Sequence, residues 1–180
     1  MRRLVKITVA AALVLALAAP GWAEPLVLEY GTTAEPLFVP GDNVTARVVE
    51  IIGQARKSIR VQAYDITSPQ IAQALIAAHD RGVEVVLIAN KATSHSKYSV
   101  CTMLAQAGVV VYLDGKHRIA HNKVMVIDEV WVLTGSFNWT AAAQKSNAEN
   151  LLVVRSATLA QRYLANWARH REHSVAWEAR

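Results

Sequence analysis

Apolar residues along this chain change their period several times, and each change marks an element. Val44, Val48, Ile51 and Ile52 recur at helical spacing up to about Ala55, and Asn43 stands where an N-cap belongs. Residues 58–64 then alternate polar and apolar, as a strand does. Ser68-Pro69 reads as a cap followed by proline at the first helical position. A helix over 70–81 carries Ile71, Leu75 and Ile76 on one stripe, and Gly82 ends it. Residues 83–89 are almost continuously apolar, which predicts a strand covered on both faces.

The alternation continues with a helix around 98–106, Gly108 as its stop, and a strand over 109–113. Strands are predicted over 123–127, 130–135 and 151–154, and a closing helix over 158–170 packs the stripe Leu159, Tyr163, Leu164 and Trp167. Residues 31–41 read as a polar lead-in. The fold class is therefore α/β: a mixed, largely parallel central sheet flanked by helices on both faces, in a single domain. No low-complexity linker divides it, and no full internal duplication appears.

The first residues change the picture of the working protein. Arg2, Arg3 and Lys6 precede an apolar run over 7–19, and small residues stand at Gly21 and Ala23. A basic start, a short apolar stretch and small residues at its end predict a secretory signal peptide over 1–23, cleaved after Ala23. The run is shorter than the roughly 20 apolar residues a membrane-spanning helix needs. Residues 24–180 are then the functional domain, periplasmic or secreted, with no stable membrane insertion. Removing those three basic residues from the chain's 19 leaves 16 against 14 acidic ones, so the formal charge falls from +5 to +2. Affinity for a polyanion must then come from a local patch. Cys101 is the only cysteine, which excludes an intrachain disulfide and a cysteine-based metal cluster; it reads as a small buried helix residue without chemistry.

The informative stretch begins at His121-Asn122-Lys123 and runs to Asn147-Ala148-Glu149-Asn150. On a strand, His121 and Lys123 project from one face while Val124 and Val126 pack on the other. With Asp128-Glu129 as the turn, His121 is expected opposite Ser136, with Asn138 further along the same side. That set suits phosphate chemistry. Lys123 supplies fixed positive charge, Ser136 and Asn138 supply donors to nonbridging oxygens, and His121 can attack phosphorus or give a proton. Glu149, after the next turn, is placed to hold one imidazole nitrogen. Asp128 has the opposite parity from His121 and is expected to shape the turn. No carboxylate cluster of metal-ligand spacing accompanies these residues, so neither a metal nor another cofactor is expected.

Here the sequence resembles a known family. His-x-Lys-x4-Asp followed by Gly-Ser-x-Asn, carried by His121, Lys123, Asp128, Gly135, Ser136 and Asn138, resembles the signature of the phospholipase D superfamily. The single-motif bacterial endonuclease branch is most similar, also through residues 59–64, 135–139 and 147–150, and the likeness extends over 44–167. The resemblance implies a phospholipase D-like fold and a metal-independent phosphodiesterase with His121, Lys123, Asp128, Ser136, Asn138 and Glu149 in its catalytic set. It also implies two histidines at one site, one forming a phosphohistidine and the other protonating the leaving oxygen. This chain has one clear motif, so the site is expected to be shared by a homodimer.

Other histidines carry weaker readings. His95-Ser96-Lys97 repeats the first half of the signature, but Thr102 stands where aspartate would and no Gly-Ser-x-Asn follows, so it reads as a polar loop. Lys97, Lys116, His117 and Arg118 are the candidate substrate contacts, on loops beside the site. His79, His170 and His173 are expected on helix surfaces, and Trp139 and Trp167 in the core. With Lys91 also on a loop, these cations favour nucleic acid, DNA in the first instance, as substrate. The alternative is a phospholipase D acting on membrane phospholipids. A nucleic-acid-binding protein with a dead site is disfavoured by the intact catalytic set.

Overall fold

The apolar runs build one eight-stranded sheet in a computed structural model that describes residues 25–178. The leader expected over 1–23 lies outside the described residues. The chain order is β1 (Thr33–Val39), α1 (Val44–Gln54), β2 (Ser58–Ala63), α2 (Pro69–Asp80), β3 (Glu84–Asn90), α3 (Lys91–Ser94) and α4 (Cys101–Gln106). It continues with β4 (Val110–Asp114), β5 (Lys123–Ile127), β6 (Trp131–Gly135), α5 (Ala141–Lys145), β7 (Glu149–Arg155), α6 (Ala157–His173) and β8 (Val175–Ala176).

The caps sit where the side chains dictate. Asn43 accepts from the Ala46 amide and Ser68 from the Ile71 amide, each satisfying an N–H left without an intrahelical partner. Gly82 takes φ +89° immediately after the second helix, a conformation that costs glycine nothing. The helix expected over 98–106 is shorter, starting at Cys101, and α3 precedes it.

The strand order is β1-β7-β6-β5-β2-β3-β4-β8. Only β2-β3 and β3-β4 are parallel; the other five neighbours run antiparallel. The mixed α/β class stands, but the expectation of a largely parallel sheet is corrected. Helix crossovers deliver the parallel strands, whereas β5 and β6 are joined by a three-residue turn and β6 returns antiparallel to β7 through the longer connection that carries α5. The lead-in 31–41 is corrected too, because Thr33–Val39 forms an edge strand on β7, from Thr33 against Arg155 to Val39 against Glu149.

Both faces are covered. Helices α1, α2 and α4 bury Val48, Ile52, Leu75 and Leu104 against Ile59, Val61, Leu87, Met125 and Leu133. Each such side chain taken from water contributes about 1.5–3 kcal/mol. The opposite face carries Val124, Val126 and Val132 under Ala160, Leu159, Tyr163 and Leu164 of α6. Trp167 seals it, its indole N–H donating to the Val61 carbonyl at 3.1 Å. Among the described residues no helix is long and apolar enough to cross a membrane.

Candidate active site

The first residue of β5 is the centre of the site. Alternation sends Lys123 to the face of Met125 and Ile127, at the rim where the sheet ends, and the side chain is only 6 % exposed. Its ammonium lies 3.2 Å from Nδ1 and 3.3 Å from Nε2 of His121 and donates to the His121 carbonyl at 2.9 Å. The Tyr64 ring follows β2, 5.0 Å from that ammonium and 4.5 Å from the exposed His121 ring. Tyr64 is fixed by its amide, which donates to the Asn122 carbonyl.

Burial pushes the Lys123 ammonium below the usual lysine value, and the charges of Glu149 and Asp65 oppose that shift. Burial likewise pushes the Asp65 carboxyl up, against the Ile66 amide and the Lys123 charge. An imidazole and an ammonium are thus in contact, with the charges of two carboxylates felt at the ammonium.

Strand β7 brings Glu149. Its carboxylate accepts from the Ser136 hydroxyl and, at 2.8 Å, from the Asn147 amide. The Ser136 hydroxyl in turn accepts from the Asn150 amide at 3.0 Å. Gly135 makes this crossing possible: a Cβ there would stand 2.3 Å from the Asn150 carbonyl oxygen, which accepts from the amides of Ser136 and Phe137. Asn138 is half-buried and its Oδ1 has no hydrogen-bond partner among the described residues.

Two expected contacts differ. The β5-β6 register pairs Val124 with Thr134 and Ile127 with Trp131, one residue away from the pairing that would set His121 across from Ser136. Asp128 and Glu129 do form the tight turn, with φ +51° and +60°, but Val130 adds an unpaired residue before the ladder starts. Ser136 therefore joins the site through β7, beyond the end of its own strand. Glu149 is hydrogen-bonded to Ser136 and Asn147, not to the imidazole of its own chain.

Asp128, in the signature's acidic position, is remote in role from the phosphate chemistry. Its carboxylate accepts from the amides of Arg56, Lys57 and Ser58 at 2.9, 2.7 and 3.0 Å. Burial would raise it, but those three donors outweigh burial and hold it below the usual carboxylate range. It ties the hairpin to the start of β2.

Among the candidate substrate contacts, Lys97, Lys116 and Arg118 are exposed. His117 turns instead toward Asp114, where its Nδ1 lies 3.2 Å from Oδ2. His170 and His173 join it, with side chains only 16 % and 20 % exposed, which corrects their expected surface placement. Their spacing of three residues puts both on the face of α6 that meets β4. His95 stacks on Trp177 with centroids 4.7 Å apart. Trp139 and Cys101 are buried as expected, and burial pushes the Cys101 thiol up.

Comparison with known proteins gives concordant matches. The model of the cardiolipin synthase PLD-like domain matches residues 48–171. A phospholipase D of Rickettsia bellii is 43 % identical over 130 residues, 72 % of this chain and 65 % of that protein. A mitochondrial cardiolipin hydrolase of Xenopus laevis is 34 % identical over 146 residues, 81 % of this chain and 69 % of that protein. Nuc of Salmonella typhimurium, a phospholipase D family member, superposes with a TM-score of 0.78 at 32 % identity, covering 82 % of this chain and 99 % of its own. NucT of Helicobacter pylori shares the fold, with a TM-score of 0.77 at 24 % identity over 81 % of this chain and 99 % of its own. The chain spans 63–65 % of the length of the Rickettsia relatives it matches.

Proposed function

This chain belongs to the phospholipase D superfamily, and on that premise we propose that it is a metal-independent phosphodiesterase acting on nucleic acid as a homodimer. The observation that carries the reading is the desolvated Lys123 ammonium held 3.2 Å from the exposed His121 imidazole. A buried cation beside a solvent-facing nucleophile attracts a phosphodiester and stabilises the charge that develops on its nonbridging oxygens. Ser136 and Asn138 add polar atoms at the same rim, and Glu149 balances the charge.

The chemistry needs two imidazoles. One forms a P–N bond while the P–O bond to the leaving group breaks, and the other gives that oxygen its proton. Water then attacks phosphorus, returns a proton to the second imidazole and releases the first. One chain contributes one His121, so the second is assigned to a second copy across a two-fold axis.

Nucleic acid is favoured by exposed cations at this end of the sheet: Lys97, Lys116 and Arg118 on loops, and Lys91, which opens α3 and does not lie on the expected loop. A second reading, a phospholipid substrate, is favoured by the names of the Rickettsia and Xenopus relatives and by Ile119, 50 % exposed two residues before His121. Plasmid DNA, RNA and phosphatidylcholine–cardiolipin vesicles given to purified protein separate the two. Cleavage of DNA or RNA is expected. Hydrolysis of the vesicles alone would replace this reading with the second. Export belongs to the same proposal and rests on the leader pattern of residues 1–23; fractionation of the producing cells with N-terminal sequencing tests it.

A further inference from the structure

We propose that Asp114, His117, His170 and His173 form a structural binding site for a first-row divalent cation, Zn2+ before others, separate from the catalytic centre. Each residue offers one ligand atom, and the four atoms lie within 4.8 Å of one another. Asp114 Oδ2 is 3.2 Å from His117 Nδ1, 2.8 Å from His170 Nδ1 and 3.2 Å from His173 Nε2. Tetrahedral zinc with bonds of about 2.0–2.1 Å sets its ligand atoms about 3.3–3.4 Å apart. The three nitrogen–oxygen distances already match that spacing to within about half an ångström, and drawing the widest pair in from as much as 4.8 Å takes side-chain shifts of up to about an ångström.

Hydrogen bonding alone accounts poorly for the arrangement. Three ring nitrogens converge on a single carboxylate oxygen, which has two in-plane lone pairs. His170 and His117 take them. His173 Nε2 is buried and, among the described residues, makes no well-aligned hydrogen bond, although it stands 3.2 Å from the same oxygen and its charge can act there. A buried nitrogen in that position is expensive unless something accepts its lone pair, and a cation accepts all three imidazoles and the carboxylate together.

The electrostatics agree with the geometry. Asp114 is fully buried, which would raise its carboxyl, yet the three imidazoles and the Lys116 amide hold it well below the usual carboxylate range. An anionic oxygen with three nitrogens is a donor set for zinc or its neighbours. Magnesium and calcium prefer oxygen shells.

The four side chains come from three segments: the end of β4, the turn after it, and the last turn of α6. The Lys116 amide donates to Asp114 Oδ1 at 3.1 Å and orients the carboxylate from behind. A cavity of about 500 Å³ lined by Asp114, His117, His95, Lys91 and Arg118 leads to the cluster, and the His117 side chain is 45 % exposed, so an ion has a way in. A bound cation would staple α6 to the β4 edge and fix the first half of the connection that runs from His117 to His121.

The test uses the full chain without its leader, stripped with a chelator and dialysed. Titration with Co2+ is expected to saturate at one ion per chain with visible bands of a four-coordinate nitrogen and oxygen site. Zn2+ at a hundredfold excess over its Kd is expected to raise the Tm by about 5–10 °C. His170→Ala and His173→Gln should abolish both responses, while His121→Ala should keep them. His173→Gln leaves a polar group of similar reach, so its stripped Tm should match stripped wild type and show that it folds. Equal responses from wild type and His173→Gln, or responses that vanish in His121→Ala, would overturn the proposal and leave a hydrogen-bonded cluster only. No substrate enters these measurements, so they stand or fall apart from the nuclease reading.

Discussion

At the scale of single residues, the proposed chemistry separates groups that would meet phosphate from groups that hold them in place. Lys123 lies in the first class, so Lys123→Ala is expected to slow turnover about 10²–10³-fold, the range for removing one preorganised charge partner. His121→Ala should be at least as damaging. Glu149 touches Ser136 and Asn147, so Glu149→Gln, which keeps the shape, should cost about tenfold, the scale of one weakened charge-assisted bond. Turnover numbers beside melting curves would check this ranking, and Glu149→Gln as damaging as His121→Ala would make Glu149 an acid or base in its own right. Asp128 belongs to the second class. Its folded carboxyl lies below the usual range, so the stability it contributes is present above about pH 4 and is lost as pH falls through the lowered folded value. Asp128→Ala is expected to destabilise by about 1–3 kcal/mol at neutral pH, because three backbone amides lose their acceptor. Urea melts of wild type and Asp128→Asn should converge as pH falls below about 4; a constant gap would show that charge plays no part. His121, Lys123, Ser136, Asn138 and Glu149 could be picked out as candidates because they are polar groups at the ends of apolar strands, where packing gives them little to do. Tyr64 could not, since the β2-β5 pairing that brings it to His121 joins residues about sixty positions apart, and the Asp65 charge that acts on Lys123 arrives by the same pairing.

At the scale of elements, local signals told most where the chain itself settles the outcome. Asn43, Ser68-Pro69 and Gly82 set helix ends through their own side chains or φ angles, and those helices lie where the periodicity put them. Strand direction has no such local marker, because an apolar run reads the same in a parallel or an antiparallel ladder. Hence the predominance of antiparallel pairs was hidden. The Pro-containing edge strand β1 was hidden for a related reason, since only its partner β7 defines it. The His170 and His173 pair was visible as a three-residue helical spacing, but its partners Asp114 and His117 lie more than fifty residues earlier. One element-level contact is open to a direct test. Gly135 is needed for close approach of β6 to β7, its φ being ordinary, so Gly135→Ala must move backbone to relieve the 2.3 Å contact. Overpacking of that kind costs about 1–3 kcal/mol, or roughly 2–12 °C of Tm in a domain of this size. Activity should fall as well, because Ser136 and Glu149 move with the two strands. An unchanged Tm with unchanged turnover would show that the crossing is looser than its geometry indicates.

At the scale of the whole molecule, one chain carries one His121 and the proposed chemistry uses two histidines in different proton states. If two subunits build each site together, a dimer of one wild-type and one His121→Ala chain lacks either the nucleophile or the acid, and it should be nearly inactive. Wild-type and mutant chains are refolded together in equal amounts at constant total protein. Active dimers then scale as the square of the wild-type fraction, so the mixture should show about one quarter of the activity of the same amount of wild type. Independent sites would leave each wild-type chain working whatever its partner, and the mixture would retain about one half. Subunit exchange is confirmed by mass spectrometry of chains carrying different isotopes, which removes the trivial explanation that the mutant never mixed. A linear dependence on wild-type fraction would refute the shared site. The second histidine would then have to come from the same chain, and the structure narrows that choice: His117 is committed to Asp114 and His95 stacks on Trp177, so either would have to abandon its present partner to reach the phosphate. A quadratic dependence, by contrast, would explain why a single signature suffices in a chain of this length, since the two-fold axis supplies the second copy.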